Sequence, residues 1–237
     1  MSILAIDTAS SVSSVAVASE GKLQAEVTVE AGRTHSETLL SHIEGVLSFA
    51  GVERSALTGV AVSIGPGSFT GLRIGLATAK GLSFAWGVPL VGVETPRSLA
   101  WNFVDSAKAV CPLIDAQKGD AYAALYTWQD GVLREERAVT VLPAADVIAS
   151  CADGGRAVVF CGDGALKFAS AITAAGPRCT LAPPHMVIPR AGALAMAAAG
   201  RFAAGDTDDC MTLTPAYKRR SEAEVLWEKR HGGTSCQ

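Results

Sequence analysis

Leu4-Ala5-Ile6-Asp7 near the start of the chain and Leu113-Ile114-Asp115 near its middle each read as an apolar strand that stops on an aspartate. The first runs through a polar turn into Val15-Ala16-Val17-Ala18 and then Gly21-Lys22-Leu23. The second runs through Lys118-Gly119-Asp120 into Ala123-Ala124-Leu125-Tyr126 and then Gly131-Val132-Leu133. Strand, acid, strand, glycine turn and strand recur in the same order, so the chain is a duplication of a three-strand meander.

Duplicated meanders of this kind resemble the fold shared by sugar kinases, actin and Hsp70-type ATPases. An α/β architecture of two domains follows, each built on a mixed sheet, with an N-terminal domain over residues 1–106 and a smaller C-terminal domain over 107–237 that includes a C-terminal helix. In that fold the repeated aspartate ordinarily faces the interdomain cleft and helps to hold Mg²⁺-nucleotide. The plainer alternative is that Asp7 and Asp115 only satisfy the backbone of the turns that follow them.

Working outward, Ser63-Ile64-Gly65-Pro66-Gly67-Ser68-Phe69-Thr70-Gly71-Leu72-Arg73 joins a buried strand to a helix through a glycine-rich turn. It is not a P-loop, because Leu72 follows Gly71 where a lysine is required, and it is not a G-x-G-x-x-G dinucleotide turn. Pro66 also removes one donor from any nest of backbone N–H groups. Ser68 is placed to cap the helix, and it misses the nucleophile position of a G-x-S-x-G elbow.

The first half continues as helix, strand, helix, strand, helix. Thr34-His35-Ser36-Glu37 reads as a capping box for a helix that ends near Ala50 before Gly51, with an apolar stripe of Leu39, Leu40, Ile43, Val46, Leu47 and Ala50. A strand over 60–64 precedes the glycine turn. The second helix then runs from about Thr70 to Trp86 and stops at Gly87 and Pro89. Leu90-Val91-Gly92-Val93 is a further short strand, and Thr95 or Glu94 caps a third helix with Pro96 in its first turn. On the second helix Gly71, Gly75 and Ala79 recur every four residues and admit another backbone closely, beside Leu72, Leu76 and Ser83. The neighbour is either the helix starting at Thr34 or a partner protein. If it is a partner, Leu39, Ile43, Val46, Leu72 and Leu76 form the docking surface, and the free chain self-associates into a homodimer.

Composition narrows the function. The 237 residues are 49% hydrophobic and 18% charged, enough apolar material for one large core or two modest ones. A net charge of −3 gives no broad basic field, so tight unaided binding to nucleic acid is excluded. The exception is a basic tail, Lys218-Arg219-Arg220 through Lys229-Arg230, whose default reading is a solvated face. Cys111, Cys151, Cys161, Cys179, Cys210 and Cys236 contain no C-x-x-C pair, as expected of reduced thiols in a cytoplasm. Asp7 breaks the apolar start, which is therefore a strand and not a signal peptide. The alanine-rich stretch 191–204 is too short to span a membrane and reads as a packed helix.

These segments together resemble the bacterial TsaB family, also called YeaZ. The likeness is carried by Gly65-Pro66-Gly67-Ser68-Phe69-Thr70-Gly71-Leu72-Arg73, by 77–93, by Asp7-Thr8-Ala9-Ser10-Ser11, by Arg33 to Glu37 and by Asp115 to Tyr122. It is strongest over 2–96, moderate over 115–122 and 213–219, and weak between about 129 and 205. The resemblance implies an actin-like duplicated fold and a cytoplasmic role in making N6-threonylcarbamoyladenosine at adenosine 37 of tRNAs that read codons beginning with A. It also implies partnership with the catalytic subunit TsaD as a heterodimer, with the ATPase TsaE in a larger complex, and contact with tRNA through that complex.

The related TsaD places a His-x-x-x-His pair on the helix after the glycine-turn unit, where it binds the catalytic metal. By the resemblance those two positions here hold Thr95 and Leu99, and leucine cannot ligate a metal. His35 and His42 stand about 10 Å apart along one helix, too far to share an ion, and His185 and His231 are isolated. Gly162-Asp163-Gly164-Ala165 follows a strand where the actin-like fold puts an adenosine-binding loop. With Asp7 and Asp115 it outlines a vestigial nucleotide cleft, or else an ordinary capped turn. The expectation is a non-catalytic scaffold with no catalytic residue, metal or cofactor of its own, ATP and metal being confined to its partners. The competing reading is a free-standing kinase or ATPase that uses Asp7 and Asp115.

Overall fold

The computed structural model of the chain describes residues 1–30 and 35–218. The capping box that begins at Thr34, His231, Cys236 and the basic tail after Lys218 lie outside the described residues.

The first half contains β1 (Ser2–Asp7), β2 (Val12–Ser19), β3 (Lys22–Glu30), α1 (His35–Ala50), β4 (Gly59–Gly65), α2 (Phe69–Trp86), β5 (Leu90–Glu94) and α3 (Thr95–Ala100). The second contains β6 (Ala109–Asp115), β7 (Asp120–Gln129), β8 (Val132–Pro143), α4 (Ala144–Asp153), β9 (Val158–Cys161), α5 (Asp163–Lys167), α6 (Ala169–Ala174), β10 (Cys179–Leu181) and α7 (Ala191–Ala203). The strands form two five-stranded sheets ordered β3-β2-β1-β4-β5 and β8-β7-β6-β9-β10, which is one topology used twice. Both meanders make their second turn with two successive residues at positive φ. These are Glu20 and Gly21 at 53° and 74°, and Asp130 and Gly131 at 51° and 73°. Such a pair matches the twist of an antiparallel hairpin.

Side-chain alternation sends each central strand to two cores. Leu4 and Ile6 of β1 join Leu39, Ile43, Val46 and Leu76 beneath α1 and α2. Ile3 and Ala5 face the other way and pack with Ala191, Leu194, Ala195 and Ala198 of α7. In the second sheet, Cys111 and Leu113 of β6 face Val147, Ile148 and Cys151 of α4, whereas Val110 and Ile114 face Leu99, Ala100 and Phe103 around α3. The two halves therefore exchange a helix: α3 covers the second sheet and α7 covers the first. A division at 106/107 follows the duplication in sequence, while α7 packs across it onto the first sheet and α3 lies against both sheets.

The start of α7 is held by side chains of the first sheet. Glu26 accepts from the Gly192 N–H at 2.9 Å and pairs with Arg190, and Ser14 Oγ accepts from the Ala191 N–H at 2.9 Å. A carboxylate at a helix N-terminus is favourably placed against the helix dipole. Between α7 and Ala216 the chain stays on the first lobe. Arg201 donates to Asp206, Asp208 and the Gly92 carbonyl, Lys80 donates to the carbonyls of Met211 and Leu213, and the Ala216 N–H donates to Ile64 O.

The helices of the first half sit where the sequence puts them. α2 is capped by Ser68 Oγ, which accepts from the Gly71 N–H at 3.3 Å, and is ended by Gly87 at φ 64°. Gly51, at φ 63°, follows α1. The helix stripe needs one correction, since Leu40 is exposed.

Candidate functional site

Asp7 and Asp115 stand at equivalent ends of β1 and β6, and both close the turn that follows. Asp7 Oδ1 accepts from the Ala9 N–H at 3.0 Å, and Asp115 Oδ1 accepts from the Gln117 N–H at 2.9 Å. Beyond this shared turn their surroundings diverge.

Asp7 is 1% exposed, and its Oδ2 has no hydrogen-bond partner. Desolvation raises its pKa to about 6, against the lowering effect of the Ala9 N–H and the Ser63 hydroxyl. Asp115 reaches the surface of a cavity of about 540 Å³ between the lobes. Lys167, in the last turn of α5, donates to both of its carboxylate oxygens at 2.9 and 2.8 Å. Asp163 Oδ1 accepts from the N–H groups of Asp115 and Gly164 at 3.1 and 2.8 Å.

These residues do not fit a Mg²⁺-nucleotide. One acid of the pair is sealed away from the cavity, and the other already carries an ammonium where a cation would stand. Gly162 and Gly164 are glycines for a different reason: a Cβ at either would fall 2.3 or 2.8 Å from Leu113 O. Their loop packs on β6 and serves as the turn into α5. The plainer sequence reading, acids and glycines satisfying local backbone, accounts for all four residues.

The two positions that the resemblance equates with metal ligands are closed as well. Thr95 is 1% exposed with Oγ1 on Ser63 Oγ at 2.8 Å, and Leu99 is fully buried in the core beside Phe103 and Tyr126. Among the described residues no three His, Cys, Asp or Glu side chains converge in a metal-binding group. His42 Nδ1 lies 3.2 Å from Ser13 Oγ, a local contact of the expected kind.

The expected docking surface is overturned. Leu39, Ile43, Val46, Leu72 and Leu76 are at most 5% exposed, and all but Leu72 belong to the core beneath the first sheet. The close-approach stripe of α2 is also internal: a Cβ on Gly71 would lie 2.0 Å from Thr8 O, and one on Gly75 would lie 2.2 Å from Thr8 Oγ1. Its neighbour is the β1–β2 loop, neither helix nor partner. The outward side of α2 instead carries Ala77, Gly81, Phe84 and Ala85, all exposed, with Phe84 at 75%.

At the cavity mouth the tail meets the start of α2. The rings of Phe69 and Tyr217 are 5.3 Å apart, the Arg73 guanidinium lies 3.9 Å over Phe69, and Arg73 Nε donates to Tyr217 Oη at 3.1 Å. Lys218 pairs with Glu94 at 3.0 Å. Sequence reasoning missed both this cluster and Lys167. Lys167 had one local signal, its position four residues after Asp163 on a helix. The pairing of Tyr217 with Phe69 and Arg73 had none, because it depends on where the tail returns.

The family model described as TsaD, tRNA N6-adenosine threonylcarbamoyltransferase, matches residues 26–227. The chain is 29% identical to the tRNA threonylcarbamoyladenosine biosynthesis protein TsaB of Bacillus subtilis strain 168, over 96% of this chain and 98% of that one. It is 30% identical to TsaB of Escherichia coli K12, over 98% and 99% of the two chains. A Pseudomonas aeruginosa crystal structure described as similar to peptidase YeaZ superposes with a TM-score of 0.80 at 28% identity, covering 92% of this chain and 99% of that one. No helix among the described residues is long and apolar enough to cross a membrane.

Proposed function

The chain belongs to the TsaD family and, within it, to the TsaB members, and from that premise we propose that it is a non-catalytic subunit for threonylcarbamoyl transfer to adenosine in tRNA. It acts in the cytoplasm by pairing with TsaD, and TsaE joins the larger complex. The observation that carries the reading is the state of Thr95 and Leu99. A hydroxyl tied to Ser63 and a buried hydrocarbon stand where transfer chemistry needs metal ligands.

The docking face is the outward stripe of α2 formed by Ala77, Gly81, Phe84 and Ala85. Small residues let a second helix approach, and Phe84 supplies the large apolar side chain that a partner would bury. The occupant is the equivalent helix of TsaD, since the TsaD family model covers α2 and the two chains are built on the same unit. The kinase alternative is disfavoured by the buried Asp7 and by the Asp115–Lys167 pair.

The test is reconstitution of transfer with purified TsaD, TsaE, tRNA and ATP. Product that depends on this chain, with none from the chain and ATP alone, supports the proposal. Phosphoryl transfer or ATP turnover by the isolated chain overturns it.

A further inference from the structure

We propose that His185, Met186 and Met196 form a binding site for a soft monovalent cation, Cu⁺ or its stable analogue Ag⁺, covered on one side by the ring of Trp101. The four residues line one cavity of about 380 Å³, where the chain leaves the second lobe and enters α7. Two of the four methionines of the chain therefore share a single cavity. Both are partly buried, and His185 is exposed, so an ion can enter from solvent.

The ligands stand on fixed backbone. The Met186 N–H donates to Pro183 O at 2.9 Å, and Asn102 Nδ2 donates to the carbonyls of Met186 and Ile188 at 3.2 and 3.1 Å, which pins the turn that carries His185 and Met186. Met196 comes from the second turn of α7, a helix whose start is tied to Glu26 and Ser14. Trp101 packs with Met186 against one core and with Met196 against the other, and Trp128 meets its ring edge-on at 4.9 Å. A ring held in this way offers its face to a cation.

Donor chemistry selects the ion. Thioether sulfur and imidazole nitrogen are uncharged, and the thioethers are soft, a set that favours Cu⁺ over Mg²⁺ or Ca²⁺. The carboxylate of Glu26 is spent on Arg190 and on the Gly192 N–H, so it answers the charge of Arg190 at the cavity wall and adds no hard anionic ligand. The thiols that would compete for such an ion are placed elsewhere: Cys111, Cys151, Cys161 and Cys179 are buried in the second lobe.

The experiment uses the full-length chain with Cys210→Ser and Cys236→Ser, labelled at its methionine methyl groups and titrated with Ag⁺ alone. One equivalent should shift the methyl resonances of Met186 and Met196 and leave that of Met211, a lone thioether 74% exposed, in place. Met186→Leu and Met196→Leu keep the volume and should each weaken binding by about tenfold or more in calorimetry. His185→Ala, at an exposed position that the core does not need, should do the same. Mg²⁺ should shift none of these resonances. Unmoved Met186 and Met196 methyls at one equivalent, an equal shift at Met211, or wild-type affinity in the three variants overturns the proposal. No readout involves TsaD or tRNA, so this site and the proposed function fail separately.

Discussion

Lys167 Nζ sits on both carboxylate oxygens of Asp115, at 2.9 and 2.8 Å, so one copy of the repeated acid is neutralised from within the chain. The other copy, Asp7, has an oxygen with no partner at all. Two residues that began as duplicates now differ in everything except the turn that each one closes.

The double variant Asp7→Asn with Asp115→Asn should restore threonylcarbamoyladenosine to the tRNA of a cell lacking this protein. Asparagine keeps the volume and the acceptor that each turn uses. A kinase would lose orders of magnitude in rate with its metal ligands gone. Mass spectrometry of bulk tRNA nucleosides, with circular dichroism to confirm folding, reads the outcome; a folded double variant with no modified nucleoside would favour the enzyme reading.

Phe84→Glu should abolish co-purification with TsaD while leaving the melting temperature unchanged, because the side chain is 75% exposed and removes nothing from the core. Leu76→Glu should instead unfold the first lobe, since it puts a charge 5% exposed into a hydrocarbon core. Retained co-purification of a folded Phe84→Glu variant would remove α2 from the interface.

Burial raises Asp7 to about 6, so the folded state binds this proton more tightly than the unfolded chain does. The stability it contributes is complete below about pH 4 and is lost as pH rises through 6. The stability of the wild type minus that of Asp7→Asn should therefore fall by about 3 kcal/mol between pH 4 and pH 7. Urea unfolding across that range measures it, and a pH-independent difference would contradict the burial account.

Glu26→Ala should cost about 1–2 kcal/mol, chiefly because it leaves the Gly192 N–H without its acceptor, while Arg190, 40% exposed, returns to water. The loss should appear as faster amide exchange in α7. If α7 keeps its protection while stability drops, the pair matters elsewhere than at the helix start.

The duplication was legible because both copies keep a local grammar: an apolar strand, an acid and a glycine turn within about twenty residues. Ser68 as a cap and Gly87 as a stop were legible for the same reason. The docking face was not. Spacing alone groups Leu39, Ile43 and Val46 into a stripe, but it cannot say that the stripe lies on a sheet instead of facing solvent. The close-approach role of Gly71 and Gly75 was read correctly, and the wrong neighbour was named, since the approach of Thr8 comes from a loop sixty residues earlier. Tyr217 was invisible as a site residue because it acquires its meaning from a segment remote in sequence, and Lys167 offered only its spacing from Asp163.

The reciprocal placement of α3 and α7 also sets an order of events. Ile3, Ala5 and Val91 lie in the half that leaves the ribosome first, yet the helix that shields them is made nearly last. Until Ala191 to Ala198 have been synthesised, one side of that sheet has nothing of its own to lie against, and α3 has already gone to the opposite lobe. A chain cut before α7 would leave Ile3, Ala5 and Val91 without that cover, an apolar face of the kind that drives misassembly.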